Sequence, residues 1–313
     1  MDSLFEDEYD LPYVWKSKGS EIQEIFKDDI KSVETLLDKN GAILFKGFNV
    51  DNASKLSNVV DSFPGDTMNY ISGNSPRTNI KEAVFSSTEY PPHAHISLHN
   101  EMSYANKWPK FLFFCCEVAP SKGGHTILAD SRKILSSLSK DLITAFRERG
   151  VKYVRNLNNG NGFGLSWKQT FNTDNKKIVE QYCNDSGIKF KWSSDGSLQL
   201  VEDRPATIIH PQTGEEVWFN QVDQFHPSTH GSEIYHNLQQ LFNNPEEMPQ
   251  YAFFGDGQEI SLAMLNEIRE VSAENTRYFN WENGDLLLVD NILVSHGRDS
   301  FQGPRKVLVS MIK

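Results

Sequence analysis

Ile96-Ser-Leu-His-Asn-Glu-Met-Ser-Tyr104 and, much later, Val289-Asp-Asn-Ile-Leu-Val-Ser-His-Gly-Arg298 are the stretches on which the reading turns. In the first, His99 and Glu101 stand two positions apart, and on a strand that spacing turns both side chains to one face. An imidazole and a carboxylate can then converge on a single ion. In the second, His296 follows the apolar run Asp285–Val289. Two histidines and one carboxylate make a facial triad, the donor set that leaves positions on an octahedral iron(II) open for substrates and oxygen. An isolated His-x-Glu is common by chance, and a histidine near a strand is more often a satisfied polar group than a ligand. The wide separation adds weight, because one barrel draws its ligands from an early and a late strand.

The surrounding sequence supports such a barrel. Short β-rich runs recur at Lys110–Val118, Val151–Val154, Thr207–Ile209, Glu216–Phe219, Asp285–Val289 and Lys306–Met311. That punctuation suits an antiparallel jelly roll. Apolar residues from Ile22 to Leu37 recur at intervals of three and four, predicting a helix over Ser20–Lys39 that Asn40-Gly41 ends before the strand Ala42–Phe45. Ile134, Leu135, Leu138, Leu142, Ile143 and Phe146 predict a second helix, with Asp130 or Ser131 as N-cap and Gly150 as its stop. Glu233–Phe242 and Ile260–Ala273 predict two more. Asn156–Gly164 reads as a mobile loop, and with no repeat or linker the whole of 1–313 reads as a single domain.

Composition narrows the function classes. Hydrophobic residues at 38% and charged residues at 23% belong to a globular chain able to bury a core. A net charge of −11 without a basic stripe argues against nucleic acid as a partner. Cys115, Cys116 and Cys183 are odd in number, and two of them lie in an apolar run, so a reducing compartment fits better than a disulfide framework. The acidic start Met1–Glu8 lacks the pattern of a signal peptide, and no apolar run is long enough to span a bilayer. A cytoplasmic protein with no membrane association is expected.

Arg305 follows His296 at a short interval, in His296-Gly-Arg-Asp-Ser-Phe-Gln-Gly-Pro-Arg-Lys-Val-Leu-Val309. A planar guanidinium suits a bidentate pair with a carboxylate, so Arg305 on the returning strand could clamp the far end of a dicarboxylic co-substrate whose 2-oxo acid end chelates iron. Without the triad, a surface ion pair would be the simpler reading.

Taken in order, these residues resemble the taurine-dioxygenase-like and clavaminate-synthase-like iron(II)/2-oxoglutarate oxygenases, and within them the amino-acid hydroxylases of the syringomycin-cluster type. The resemblance runs through Asn40-Gly-Ala-Ile-Leu-Phe-Lys-Gly-Phe48, Ser86-Ser-Thr-Glu-Tyr-Pro-Pro92, Leu98–Tyr104, Gly123-Gly-His-Thr-Ile-Leu-Ala-Asp-Ser131, His210-Pro-Gln-Thr-Gly214, Val217-Trp-Phe-Asn220 and the final His-Gly-Arg. It implies a mainly β fold with flanking helices around a double-stranded β-helix, a jelly-roll, cupin-like core. It implies His99, Glu101 and His296 as iron ligands and catalytic residues, Arg305 on the distal carboxylate of 2-oxoglutarate, and oxygen as second co-substrate. Thr126 matches the family threonine that contacts 2-oxoglutarate, although a strand threonine chosen for β propensity reads the same way. Glu101 stands where many members carry Asp, and its presence disfavours halogenation, which needs a small residue there.

The implied reaction oxidises an unactivated carbon of a small molecule and releases succinate and carbon dioxide. An amino acid, free or carrier-tethered, is the expected substrate. Arg77, His95, Arg155, Asn156 and Asn220 are candidates to touch it, each equally readable as a loop or structural group. Arg298 is expected to support the site by pairing with an acid, and Trp218 and Phe219 read as core. An oxidative cyclase or desaturase would use the same residues, and a non-catalytic cupin-like metal-binding protein would not require Arg305. Oligomeric state is not written in the sequence.

Overall fold

Along Phe111–Val118 the side chains alternate, Phe113 and Cys115 packing with one cluster and Leu112, Phe114 and Cys116 with another. The period of two follows from the pleat, so a strand buried on both faces serves two cores. In the computed structural model, which describes residues 11–313 apart from 75, 76, 82, 88, 89 and 163, this strand is central to a seven-stranded sheet. The order is Tyr13–Lys16, Ala42–Lys46, Leu286–Asp290, Phe111–Val118, Lys306–Ile312, Val84–Ser86, Asn79–Lys81. Only the first pair is parallel. Ile43, Phe45, Phe113, Leu286 and Leu308 bury the outer face against helices carrying Phe26, Val33, Leu37 and Leu56.

The inner face meets a three-stranded antiparallel sheet in which Val294–Arg298 lies between Ile96–His99 and Thr126–Asp130. Leu112, Phe114, Val289 and Val309 of the large sheet share one cluster with Leu128 and Val294 of the small one. Two antiparallel sheets closed around one core make the expected jelly roll. A four-stranded sheet, ordered Lys189–Trp192, Leu198–Arg204, Val151–Leu157, Gln250–Phe254, is added outside it. Among the described residues no helix is long and apolar enough to cross a membrane.

Two predicted helices are each broken. The first divides into Ile22–Asp28 and Ile30–Asn40 at Asp29, whose φ of −142° and ψ of 39° leave the helical region. Gly41 closes the second piece at φ 75°, the left-handed conformation that needs no Cβ. The other divides into Ser131–Ser137, capped by Asp130, and Lys140–Arg149, capped by Ser139. Both breaks preserve the apolar period, which is why periodicity alone reads through them. The helices at Ser232–Leu241 and Leu262–Asn275 lie within a residue or two of expectation. Asn156 and Leu157 belong to a strand rather than to a loop, and Phe163 lies outside the described residues, as does Met1–Glu8.

Candidate active site

His296, on the middle strand of the small sheet, pairs directly with His99 on its neighbour, so both imidazoles leave the sheet on one face. Gly297 makes this approach possible: a Cβ there would stand 2.4 Å from the Ile96 carbonyl oxygen, and the register shifts between His296 and Arg298. Glu101 is not on a strand. The strand ends at His99, and Glu101 sits in the turn beyond it. Buried Asn291 holds this turn, accepting from the Glu101 N–H at 2.7 Å and donating to its carbonyl at 3.0 Å and to Pro109 O at 2.8 Å. Asn100 reciprocates by donating to Asn291 O at 2.7 Å. The carboxylate thus reaches the histidines by a clamped turn, not by the same-face spacing expected of a strand.

One donor atom from each of His99, Glu101 and His296 lies within 4.8 Å of the others, and all three residues contribute buried groups. His99 Nδ1 is 2.9 Å from Ser97 O, the partner for an N–H there, which leaves Nε2 as a lone-pair donor. Gln224 Nε2 lies 2.9 Å from that same ring nitrogen and donates to Ser97 O at 3.1 Å. His296 Nε2 is 3.9 Å from Glu101 Oε2. Burial holds the His99 pKa below the usual histidine value even though Glu101 acts against it. His296 is held well below by burial, then by His99 and Arg77. Neutral imidazoles are the form that ligates a metal. Two neutral nitrogens and one carboxylate in this space fit an iron(II) facial triad.

A cavity beside the triad is lined by Thr126, Arg305, Arg298, Arg77 and Phe114. The Arg305 Nε donates to Gly124 O at 3.0 Å, and burial, reinforced by the neighbouring Arg298 charge, pulls its pKa down to about 10. Gly124 has φ +67°, and a Cβ on it would stand 3.1 Å from Arg305 Cδ. Trp281 Nε1 donates to Thr126 Oγ1 at 3.1 Å, which leaves the Thr126 hydroxyl hydrogen free to point elsewhere.

A second cavity, of about 460 Å³, opens over His99 and Glu101 between Tyr70, Tyr104, Gln221 and Gln250. Apart from Glu101, its described lining holds no Asp, Glu, Lys or Arg. Its amides are braced: Gln221 donates to Asn100 O at 2.7 Å, Asn74 to Gln250 Oε1 at 3.0 Å, and Gln250 to Gln224 O at 2.7 Å. An outer cavity of about 390 Å³ shares Asn74, Tyr90, His230 and Gln250 with it, so the two are continuous.

The remaining candidates separate by their partners. His95 lines the cavity mouth, with its side chain 55% exposed and its Nδ1 3.5 Å from Asp299. Arg155 is buried against Glu202 at 3.1 Å, donates to Ser72 O at 2.9 Å, and with Asn156 lines the outer cavity. Asn156 is likewise committed to the carbonyls of Glu246 and Met248, and Asn220 to Ala206 O, with its Oδ1 taking the Val222 N–H. Arg298 donates to the carbonyls of Tyr90, Pro91 and Ala94. Arg77 turns to Glu101, at 2.5 Å. Trp218 and Phe219 are core, as expected. Of the Ser86–Pro92 motif, Thr88 and Glu89 lie outside the described residues. Asn291, Asn100 and Trp281 escape a sequence reading, since Asp290-Asn291 signals only a turn.

With this geometry in place, comparison with known proteins gives the class. Residues 9–311 match the family described as taurine catabolism dioxygenase TauD, TfdA. The chain belongs to that family, and it is a non-haem iron(II)- and 2-oxoglutarate-dependent dioxygenase that uses oxygen and acts on a small molecule. It is similar to the dapdiamide synthesis protein DdaC of Enterobacter agglomerans, at 34% identity over 90% of this chain and 84% of that one. It is similar also to a clavaminate synthase-like protein of Arabidopsis thaliana, at 32% identity over 92% and 88%. Among solved structures, a taurine dioxygenase from Burkholderia xenovorans superposes with a TM-score of 0.57 at 14% identity, covering 96% of this chain and 88% of that one. PvcB from Pseudomonas aeruginosa gives 0.55 at 14%, covering 96% and 86%. Both share the jelly-roll fold.

Proposed function

We propose that the protein hydroxylates an unactivated carbon of an amino-acid-derived molecule whose carboxylate is masked, as an amide or a carrier-bound thioester. His99, Glu101 and His296 hold the iron, and Arg305 and Thr126 hold the distal carboxylate of 2-oxoglutarate. Bound together, iron(II), 2-oxoglutarate and oxygen would supply the oxidising power, one oxygen atom going to succinate as carbon dioxide leaves and the other entering a substrate C–H bond to give C–OH. The observation that carries this reading is the convergence of the three donor atoms within 4.8 Å. The protein's own part is positional. The Asn291 clamp fixes Glu101, Ser97 O fixes the His99 tautomer, and the aromatic and amide walls shield the space above from water.

The masked carboxylate is supported by the lining of the substrate cavity. A free amino acid would bring a carboxylate to a wall with no described Lys or Arg, an unfavourable desolvation. Gln221 Oε1 and Asn74 Oδ1 accept no bond from a described residue and suit amide or ammonium N–H groups. The continuous outer cavity suits an elongated molecule, and the relative named for dapdiamide synthesis supports an amide-bearing one.

The test begins with anaerobic titration of iron(II) and 2-oxoglutarate, followed through the visible charge-transfer band. Oxygen is then admitted with a panel of free amino acids and their amides or thioesters, scored by succinate release and product mass. The expected product gains one oxygen atom, and a product lacking two hydrogens would instead mean ring closure or desaturation. Absence of both band and turnover would refute the site. Preference for free amino acids would refute the masked carboxylate alone.

A further inference from the structure

The Arg77 side chain is only 3% exposed, and its Nη2 donates to Glu101 Oε2 at 2.5 Å while its guanidinium lies 4.4 Å over the Tyr70 ring. Its other nitrogens, Nε and Nη1, are buried and have no hydrogen-bond partner among the described residues. A guanidinium is a fixed fork of five N–H donors, and burying part of that fork unpaired is costly. Such a group in a folded protein awaits an acceptor.

The position of the fork indicates which acceptor. Arg77 lines the cavity that holds Thr126, Arg305 and His296, and it is absent from the lining of the amide-walled cavity above Glu101. It therefore faces the co-substrate's space and not the substrate's. Arg305 is tied to Gly124 O, whereas Arg77 stands beside the metal ligand Glu101. A 2-oxo dicarboxylate carries one carboxylate at each end, and the one chelating the metal must lie close to the Glu101 carboxylate. A cation between the two anions removes their repulsion.

We infer that Arg77 is the second carboxylate-binding residue of the co-substrate site, holding Glu101 through Nη2 and donating from Nε and Nη1 to the carboxylate at the 2-oxo end of 2-oxoglutarate. This rests on the assignment of iron to His99, Glu101 and His296 made above.

The test uses two 2-oxo acids that share the chelating end and differ at the other. Dissociation constants of 2-oxoglutarate and of 2-oxobutyrate, which lacks the distal carboxylate, are measured anaerobically on the metal-saturated wild type, Arg77→Gln, Arg77→Lys and Arg305→Gln. Arg77→Gln is expected to weaken both acids by a similar factor, roughly tenfold or more, and to shift the charge-transfer band. Arg305→Gln is expected to weaken 2-oxoglutarate only. Arg77→Lys keeps a charge beside Glu101 but loses the fork, so it serves as the second variant if Arg77→Gln fails to fold, and it too is expected to weaken both acids. If both Arg77 variants bind both acids within twofold of wild type, the inference is overturned, whether they lose metal affinity alone or primary-substrate affinity alone. If the wild type gives no band with iron and 2-oxoglutarate, the iron assignment fails first and independently of Arg77.

Discussion

His99 and His296 face each other in antiparallel register with their ring centroids 4.4 Å apart. Phe114 of the opposing sheet packs 5.2 Å from the His296 ring, so the metal-binding face rests on the jelly-roll core. Strand pairing, rather than loop geometry, sets the spacing of the two nitrogen ligands.

Gly297 is the residue on which that pairing depends. Gly297→Ala would drive a Cβ to within 2.4 Å of Ile96 O, and overpacking of this kind costs roughly 1–3 kcal/mol. Reduced stability with a disproportionate loss of metal affinity is expected, read by denaturant melts and metal titration. Unaltered metal affinity would mean that the register does not set the ligand spacing.

Asn291→Ala would leave the Glu101 amide and carbonyl without their side-chain partner. Loss of a supporting contact of this type lowers metal affinity roughly 10–100-fold. The expected signature is weaker iron binding with the co-substrate constant unchanged at saturating metal.

Arg305→Ala should raise the 2-oxoglutarate requirement by about tenfold or more, since charge-assisted pairs are the strong ones, while metal affinity stays near wild type. Gly124→Ala should mimic it weakly, because the new Cβ crowds Pro120 Cγ at 2.7 Å, Phe301 Cβ at 3.0 Å and Arg305 Cδ at 3.1 Å. Saturation curves for 2-oxoglutarate decide both.

His226, buried with Nε2 3.0 Å from Tyr251 Oη, is pushed down to about 4 by burial and then by the Arg269 charge. An unfolded histidine titrates near ~6.5, so in the interval the unfolded chain takes up the proton and the folded one does not. The stability this group contributes is complete above pH ~6.5 and is lost as pH falls toward 4. Denaturation midpoints should fall more steeply with acid in the wild type than in His226→Gln.

Burial pushes the Cys115 and Cys116 thiols up to about 12 and Cys183 up to about 11. All three should therefore resist a disulfide reagent at pH ~8 in the native state and react together on unfolding. Rapid labelling of the folded protein would contradict that burial.

The parts of this architecture that were legible in the sequence are those with a local period or a distinctive side chain. The alternating strand Phe111–Val118 and the spacing of His99 with Glu101 are of this kind. The reason for the second feature was misread, because Glu101 reaches the site through a turn held by Asn291, a contact between residues far apart in sequence. The partners of Arg155 and Asn156 were illegible for the same reason, since Glu202 and the Glu246 and Met248 carbonyls lie far from them in the sequence. The breaks at Asp29 and Leu138 leave the apolar period intact and so carry no signal that periodicity can register.

The two cavities that meet at His99 answer differently to dissolved salt. Recognition between arginines and a dianion weakens as ionic strength rises, whereas carboxamide dipoles and aromatic walls are nearly indifferent to it. At high electrolyte concentration the enzyme should become starved of its keto acid while still gripping the molecule it is built to oxidise.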